Sequence, residues 1–119
     1  MELQTFYENI GADYQVVLQR LRRESLIDKY LHLLLKDPVF ETLQHAVESN
    51  DHEEIFRAAH TIKGMALNLE LPPLTAAASS LTEYLRTLSP GAADSSVVKE
   101  KYADIVKEYE TVRDLLARF

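Results

Sequence analysis

The chain contains no cysteine, which excludes disulfides and thiolate metal sites and leaves no signature of an oxidising compartment. Glycine and proline are scarce, three and four among 119 residues, as suits a compact helical protein rather than a loop-rich one. Long hydrophobic runs are missing: "LLL" at 33–35 falls far short of the roughly 20 apolar residues a membrane span needs. The N-terminal "MELQTFYEN" has neither the charged n-region nor the apolar h-region of a secretory signal. Positive charge is outnumbered, 13 Lys and Arg against 19 Asp and Glu, for a net charge of -6. Such a surface has no excess of cations to displace counterions from a phosphate backbone, which argues against non-specific nucleic-acid binding. There is no glycine-rich phosphate loop to hold ATP, and no serine or cysteine nucleophile arrangement. The expectation is a soluble, cytoplasmic chain without membrane or nucleic-acid partners, its 119 residues forming one domain.

What is present is helical periodicity. After a short segment from Met1 to Asn9 and Gly11, Asp13 caps a helix with Tyr14, Val17, Leu18 and Leu21 on one face. Ser25 opens a long stretch whose apolar positions Ile27, Tyr30, Leu31, Leu34, Val39, Leu43 and Val47 keep a helical period. Pro38 interrupts it, and either separates two helices or kinks a single one; the unbroken period favours one kinked helix. Asp51 followed by Glu54 is a capping-box-like start for a helix running to about Leu69, where Pro72 and Pro73 stop it. Leu74, Ala78, Leu81, Leu85 and Leu88 mark the next helix. A loop over Ser89–Ser96 precedes the last, which carries Val98, Tyr102, Ile105, Tyr109, Val112, Leu116 and Phe119. No strand alternation bounded by turns occurs. The pattern predicts an all-α fold: an antiparallel four-helix bundle with short N-terminal helices packed across one end.

The central segment "RAAHTIKGMALNLEL", Arg57 to Leu71, carries two patterns. With Ile62 at zero and about 100° per residue, Ile55, Ala58, Ala59, Met65, Ala66 and Leu69 all fall within about 60° of it and form the core face. His60 falls at about 160° and Gly64 at about 200°, pointing to solvent. Phe56 and Leu67 flank them as a small apolar docking surface. Lys63 has Ala59, His60, Ala66 and Leu67 three and four residues away, so it lacks a local acidic partner. Arg57 has Glu53 and Glu54 behind it and is expected to pair with them on the rim of the same surface. A glycine within a helix costs about 1 kcal/mol relative to alanine. One turn from a surface histidine, that cost is explained by access, because the missing side chain lets another molecule approach the imidazole.

An imidazole titrates near about pH 6.5, so at neutral pH a large share is uncharged and nucleophilic. A neighbouring ammonium would stabilise a phosphoryl group once the ring carried it. Phosphoryl transfer asks for little beyond positioning and charge stabilisation, and a partner can bring the carboxylate and the metal.

At these residues the chain resembles a known family. "AHTIKG", a small residue then His, any residue, an apolar residue, Lys and Gly, is similar to the motif of histidine phosphotransfer (HPt) domains. "GADYQVVLQRL", "IDKYLHLLLKDPVFETLQHAVESND" and "LTAAASSLTEYLRT" resemble the corresponding stretches of that family. The resemblance implies a helical bundle whose His60 shuttles phosphate between receiver-domain aspartates of a two-component phosphorelay. Lys63 would then stabilise the phosphate and Gly64 keep the site open. It implies a phosphoryl carrier without an ATP site rather than an enzyme, with no cofactor of its own, Mg²⁺ arriving with the receiver domain. Partners would be receiver domains of response regulators and a hybrid histidine kinase; oligomeric state is left open. One position departs from the pattern: the glycine common ten residues after the histidine is Glu70 here. That departure sustains an alternative, a docking module that binds a partner through the same face without being phosphorylated. Of the remaining histidines, His32 reads as a core-boundary residue and His45 and His52 as surface ones, with no metal-site spacing among the four.

Overall fold

The computed structural model describes residues 2–89 and 91–118; Met1 of the first segment, Pro90 of the loop and Phe119 of the last apolar stripe lie outside the described residues. Among the described residues there are seven helices and no strand: α1 (Glu2–Asn9), α2 (Tyr14–Leu21), α3 (Glu24–Lys36), α4 (Val39–Glu48), α5 (His52–Asn68), α6 (Pro72–Arg86) and α7 (Ser95–Leu116). α4 packs on α5, α5 on α6, α6 on α7, and α7 returns to α4. Short connections make successive members antiparallel, and the bundle is elongated, 48 × 23 × 20 Å. The expected all-α bundle is therefore observed.

The expected single kinked helix is not: α3 and α4 are separate. Pro38 pushes the residue before it out of the helical region, and Asp37 is extended at ψ 133°. The Asp37 carboxylate then accepts the Val39 N–H at 2.9 Å, satisfying a donor that the new helix start would leave unpaired. α3 also begins at Glu24 rather than at Ser25, with Arg23 at the cap position and no side-chain cap. Tyr30, placed on the apolar period, is exposed, and so is His32, whose Nδ1 lies 2.8 Å from the Asp28 carbonyl. Asp13 and Asp51 cap as the sequence suggests, accepting the N–H groups of Gln15 and Glu54. The loop expected over Ser89–Ser96 ends earlier, because Asp94 accepts the Ser96 N–H and caps α7 from Ser95. The Asp51 box is only half made, because Glu54 turns to Arg57 instead of back to the cap.

The apolar stripe of α5 is the centre of the core. Ile55, Ala58, Ala59, Ile62, Ala66 and Leu69 are buried against Leu43 and Val47 of α4, Leu74, Ala78 and Leu81 of α6, and Ile105 and Val112 of α7. α1 and α2 cover the end where α5 terminates: the Tyr7 hydroxyl donates to the Leu69 carbonyl at 2.6 Å, and Arg20 donates to the carbonyls of Leu67 and Asn68 at 3.0 and 2.8 Å.

That end explains the departure at Glu70. The Leu71 N–H reaches the Ala66 carbonyl and the Glu70 N–H the Leu67 carbonyl, the bonding pattern of a Schellman stop, and Glu70 takes the left-handed position at φ 55°. Gly11 and Asn50 hold the same place after α1 and α4, at φ 70° and 56°. A left-handed non-glycine residue costs about 1–2 kcal/mol, whereas a partly exposed ion pair such as Arg20–Glu70 at 3.5 Å contributes about 0–1 kcal/mol. The strain exceeds the pair, and the packing of α1 and α2 over this turn holds it in place.

Two predictions arise here. Glu70→Gly should be more stable than Glu70→Ala by about 1 kcal/mol in urea denaturation, since both lose the Arg20 pair and only glycine relieves the backbone. Equal midpoints would contradict the strain assignment. The Tyr7 hydroxyl is pushed well above the usual phenol range, first by burial and then by the nearby charges of Glu70 and Tyr14, with Arg20 opposing. A raised folded-state value stabilises fully below the unfolded value of about pH 10 and is lost as pH climbs above it. Thermal stability of the wild type should fall above that pH more steeply than that of Tyr7→Phe; parallel profiles would contradict it.

Candidate functional site

His60 sits in the middle of α5, on the side away from the buried stripe, and is exposed. The same stripe that locks α5 into the bundle therefore aims the imidazole outward. Neither ring nitrogen has a hydrogen-bond partner among the described residues. The ring's contact is with Phe56 one turn earlier, parallel at 2° with centroids 6.0 Å apart. Phe56 is half-buried, and the Arg86 guanidinium of α6 lies over its ring at 5.3 Å, itself held by Glu83 at 3.3 Å.

Lys63, one turn after the histidine, makes no ion pair or hydrogen bond among the described residues. Arg57 behaves differently, with Nη2 2.7 Å from Glu53 and Nη1 2.8 Å from Glu54. Its charge is compensated, as is that of Arg86 by Glu83, so the basic character of this face rests on Lys63. Gly64 is exposed, and a Cβ built on it meets nothing within 4 Å. Internal packing gives no reason for glycine there, and no positive φ demands it. The space over Gly64 is open to whatever approaches His60.

Apolar surface surrounds this polar centre. Leu67 is 55% exposed on the α6 side of the outer face. On the opposite side lies a mainly apolar groove of about 470 Å³ between α2, α3 and the second half of α5, lined by Tyr30, Leu33, Met65 and Asn68 among others. Tyr30 and Leu33 are 40% and 50% exposed, unusual for side chains of that size. Sequence reasoning missed both, because the helical period counted Tyr30 as core and gave no sign that α3 would leave its outer side uncovered. It missed Arg86 as well; the only signal was a lone arginine at the end of the following helix.

The structure thus brings His60, Phe56, Lys63, Gly64 and Leu67 together on one face and places Arg57 at its edge, tied to two glutamates. No group of three or more His, Cys, Asp or Glu among the described residues is arranged to hold a metal ion. No helix among them is long and apolar enough to cross a membrane. Such a face can present an imidazole nucleophile beside one uncompensated ammonium, with apolar margins to seat a partner.

Neither the curated proteins nor the solved structures contain a match to the chain. The family model described as Hpt domain matches residues 3–118, nearly the whole length. Members of this family are phosphoryl carriers of two-component phosphorelays that lack an ATP site of their own, and the chain belongs to the Hpt domain family.

Proposed function

We propose that His60 is the phosphoryl-accepting residue, and that residues 1–119 act as one module taking the group from a receiver-domain aspartate and passing it to another receiver. The observation that carries this reading is the exposed imidazole without a hydrogen-bond partner, beside the uncompensated Lys63 and the open surface over Gly64. In the step itself, the lone pair of the unprotonated ring nitrogen attacks phosphorus, forming an N–P bond. The P–O bond to the partner's aspartate breaks, and the carboxylate leaves with the electron pair. The other ring nitrogen can shed its proton to water, since His60 is exposed. Lys63 offsets the added negative charge, which is why an unpaired ammonium is useful there. The aspartate and the Mg²⁺ that screens the phosphoryl oxygens come with the partner.

Phe56, Leu67 and the groove edged by Tyr30 and Leu33 supply apolar area for docking, and Arg57 lies on the rim. Receiver domains of response regulators, and that of a hybrid histidine kinase, are the partners this surface suits, in the cytoplasm. The reading of a docking module without phosphorylation drew on Glu70. Its left-handed turn lies at the far end of α5 and leaves the outer face around His60 intact, so that residue no longer favours it.

The test uses a receiver domain charged with radiolabelled acetyl phosphate in the presence of Mg²⁺. Acid-labile label should appear on the wild type and be absent from His60→Gln; stable binding of the charged receiver without any label transfer would refute the carrier reading. Lys63→Ala should retain the helical circular dichroism spectrum and slow transfer about tenfold or more. Gly64→Ala should separate stability from function: folding gains about 0.5–1 kcal/mol in urea, while transfer slows because a methyl group occupies the approach path. A variant that transfers at the wild-type rate would show that the glycine serves no access role.

A further inference from the structure

His60 is joined to α6 through its aromatic neighbour. Glu83 holds Arg86 at 3.3 Å, the Arg86 guanidinium lies 5.3 Å from the Phe56 ring centroid, and the Phe56 ring lies parallel to the imidazole at 6.0 Å. With no hydrogen bond to either ring nitrogen among the described residues, the Phe56 contact is what restrains the imidazole. An exposed histidine on a helix otherwise exchanges among staggered rotamers on a fast timescale. Phe56 is on the same helix as His60 and cannot by itself relate the ring to the rest of the bundle. Arg86, from the adjacent helix, does.

We infer that Arg86 is a positioning residue: it holds Phe56 by a cation–π contact, and Phe56 in turn holds the imidazole plane, so that the nucleophilic nitrogen faces the incoming phosphorus. This rests on the reading that His60 is the nucleophile. It assigns Arg86 a part different from that of Lys63. Lys63 neutralises charge directly, whereas Arg86 acts through a ring and fixes geometry. Exposed cation–π and aromatic contacts are weak, so each is worth a factor of about two to five in the population of the competent rotamer. Transfer from a docked protein partner should feel that population, because the receiver presents its phosphorus along one direction.

The test has two arms. In the first, proton NMR of the free protein reads the His60 ring protons, which sense the ring current of Phe56. Arg86→Ala and Phe56→Leu should each move these resonances toward those of an unrestrained histidine, and Arg86→Lys should restore part of the shift. In the second, transfer is timed from a receiver domain charged with acetyl phosphate. Arg86→Ala and Phe56→Leu should each slow it about threefold, and the double variant should be no slower than Phe56→Leu alone. Unchanged His60 ring protons in Arg86→Ala would overturn the proposal. So would an undiminished effect of Arg86→Ala in the Phe56→Leu background, which would make the guanidinium a direct electrostatic partner of the phosphoryl group. If the wild type accepts no label at all, the carrier reading fails, and the ring-proton arm alone decides whether Arg86 positions the imidazole.

Discussion

Burial of one stripe of α5 sets everything else in this molecule. Ile55, Ala58, Ala59, Ile62, Ala66 and Leu69 are buried in the core, with α4 and α6 packed against their helix, and three of the six are alanines. Small residues let the neighbouring helices approach closely, and close-packed interiors resist rotation or sliding of an element. The rotation of α5 about its own axis is thereby fixed. Because side chains a half-turn apart face opposite ways, fixing the inner stripe also fixes the direction in which His60, Lys63 and Gly64 point. The inner stripe sets the direction of the outer face, and the Phe56 contact then restrains the imidazole ring on it.

The end of α5 is secured by other means. α1 and α2 bring Tyr7 and Arg20 to the last carbonyls of the helix, so its orphan acceptors are met by side chains from elsewhere in the chain. A guanidinium there also complements the negative end of the helix dipole. These contacts let a glutamate occupy a backbone conformation that glycine would take without strain. The strain lies about three turns from His60 and is balanced within the α1–α2–α5 junction.

The two faces of α5 were legible because a single helix obeys a known period: angle alone separated Ile62 from His60, and spacings of four and three residues alone paired Arg57 with Glu53 and Glu54. What was not legible depended on which helix stands beside which. A wheel cannot show that Arg86 reaches Phe56, that α3 leaves Tyr30 and Leu33 uncovered, or that a groove opens beside Met65. Pro38 was compatible with a kink or a break, and the break was decided by Asp37, whose carboxylate could satisfy the new helix start. Glu70 could not be read as a left-handed stop, because glutamate has no preference for that region and the stop is held by Tyr7 and Arg20 across more than forty residues of sequence.

The proposed chemistry uses little of the protein: one neutral ring, one ammonium and an unobstructed approach. That economy fits a carrier, whose group must be accepted and then given up, since tight stabilisation of the phosphorylated state would slow the second transfer. It also makes the location of the phosphoryl group the most direct test of the whole account. Four histidines are available, and His32, His45 and His60 are all exposed. NMR spectra of the protein after reaction with a phosphorylated receiver domain would assign the modified ring. The account predicts a single phosphohistidine at His60, with the largest backbone amide shifts at Thr61, Lys63 and Gly64 and little change at the α4–α7 junction. Modification at His32, His45 or His52, or amide shifts centred away from the outer face of α5, would contradict it.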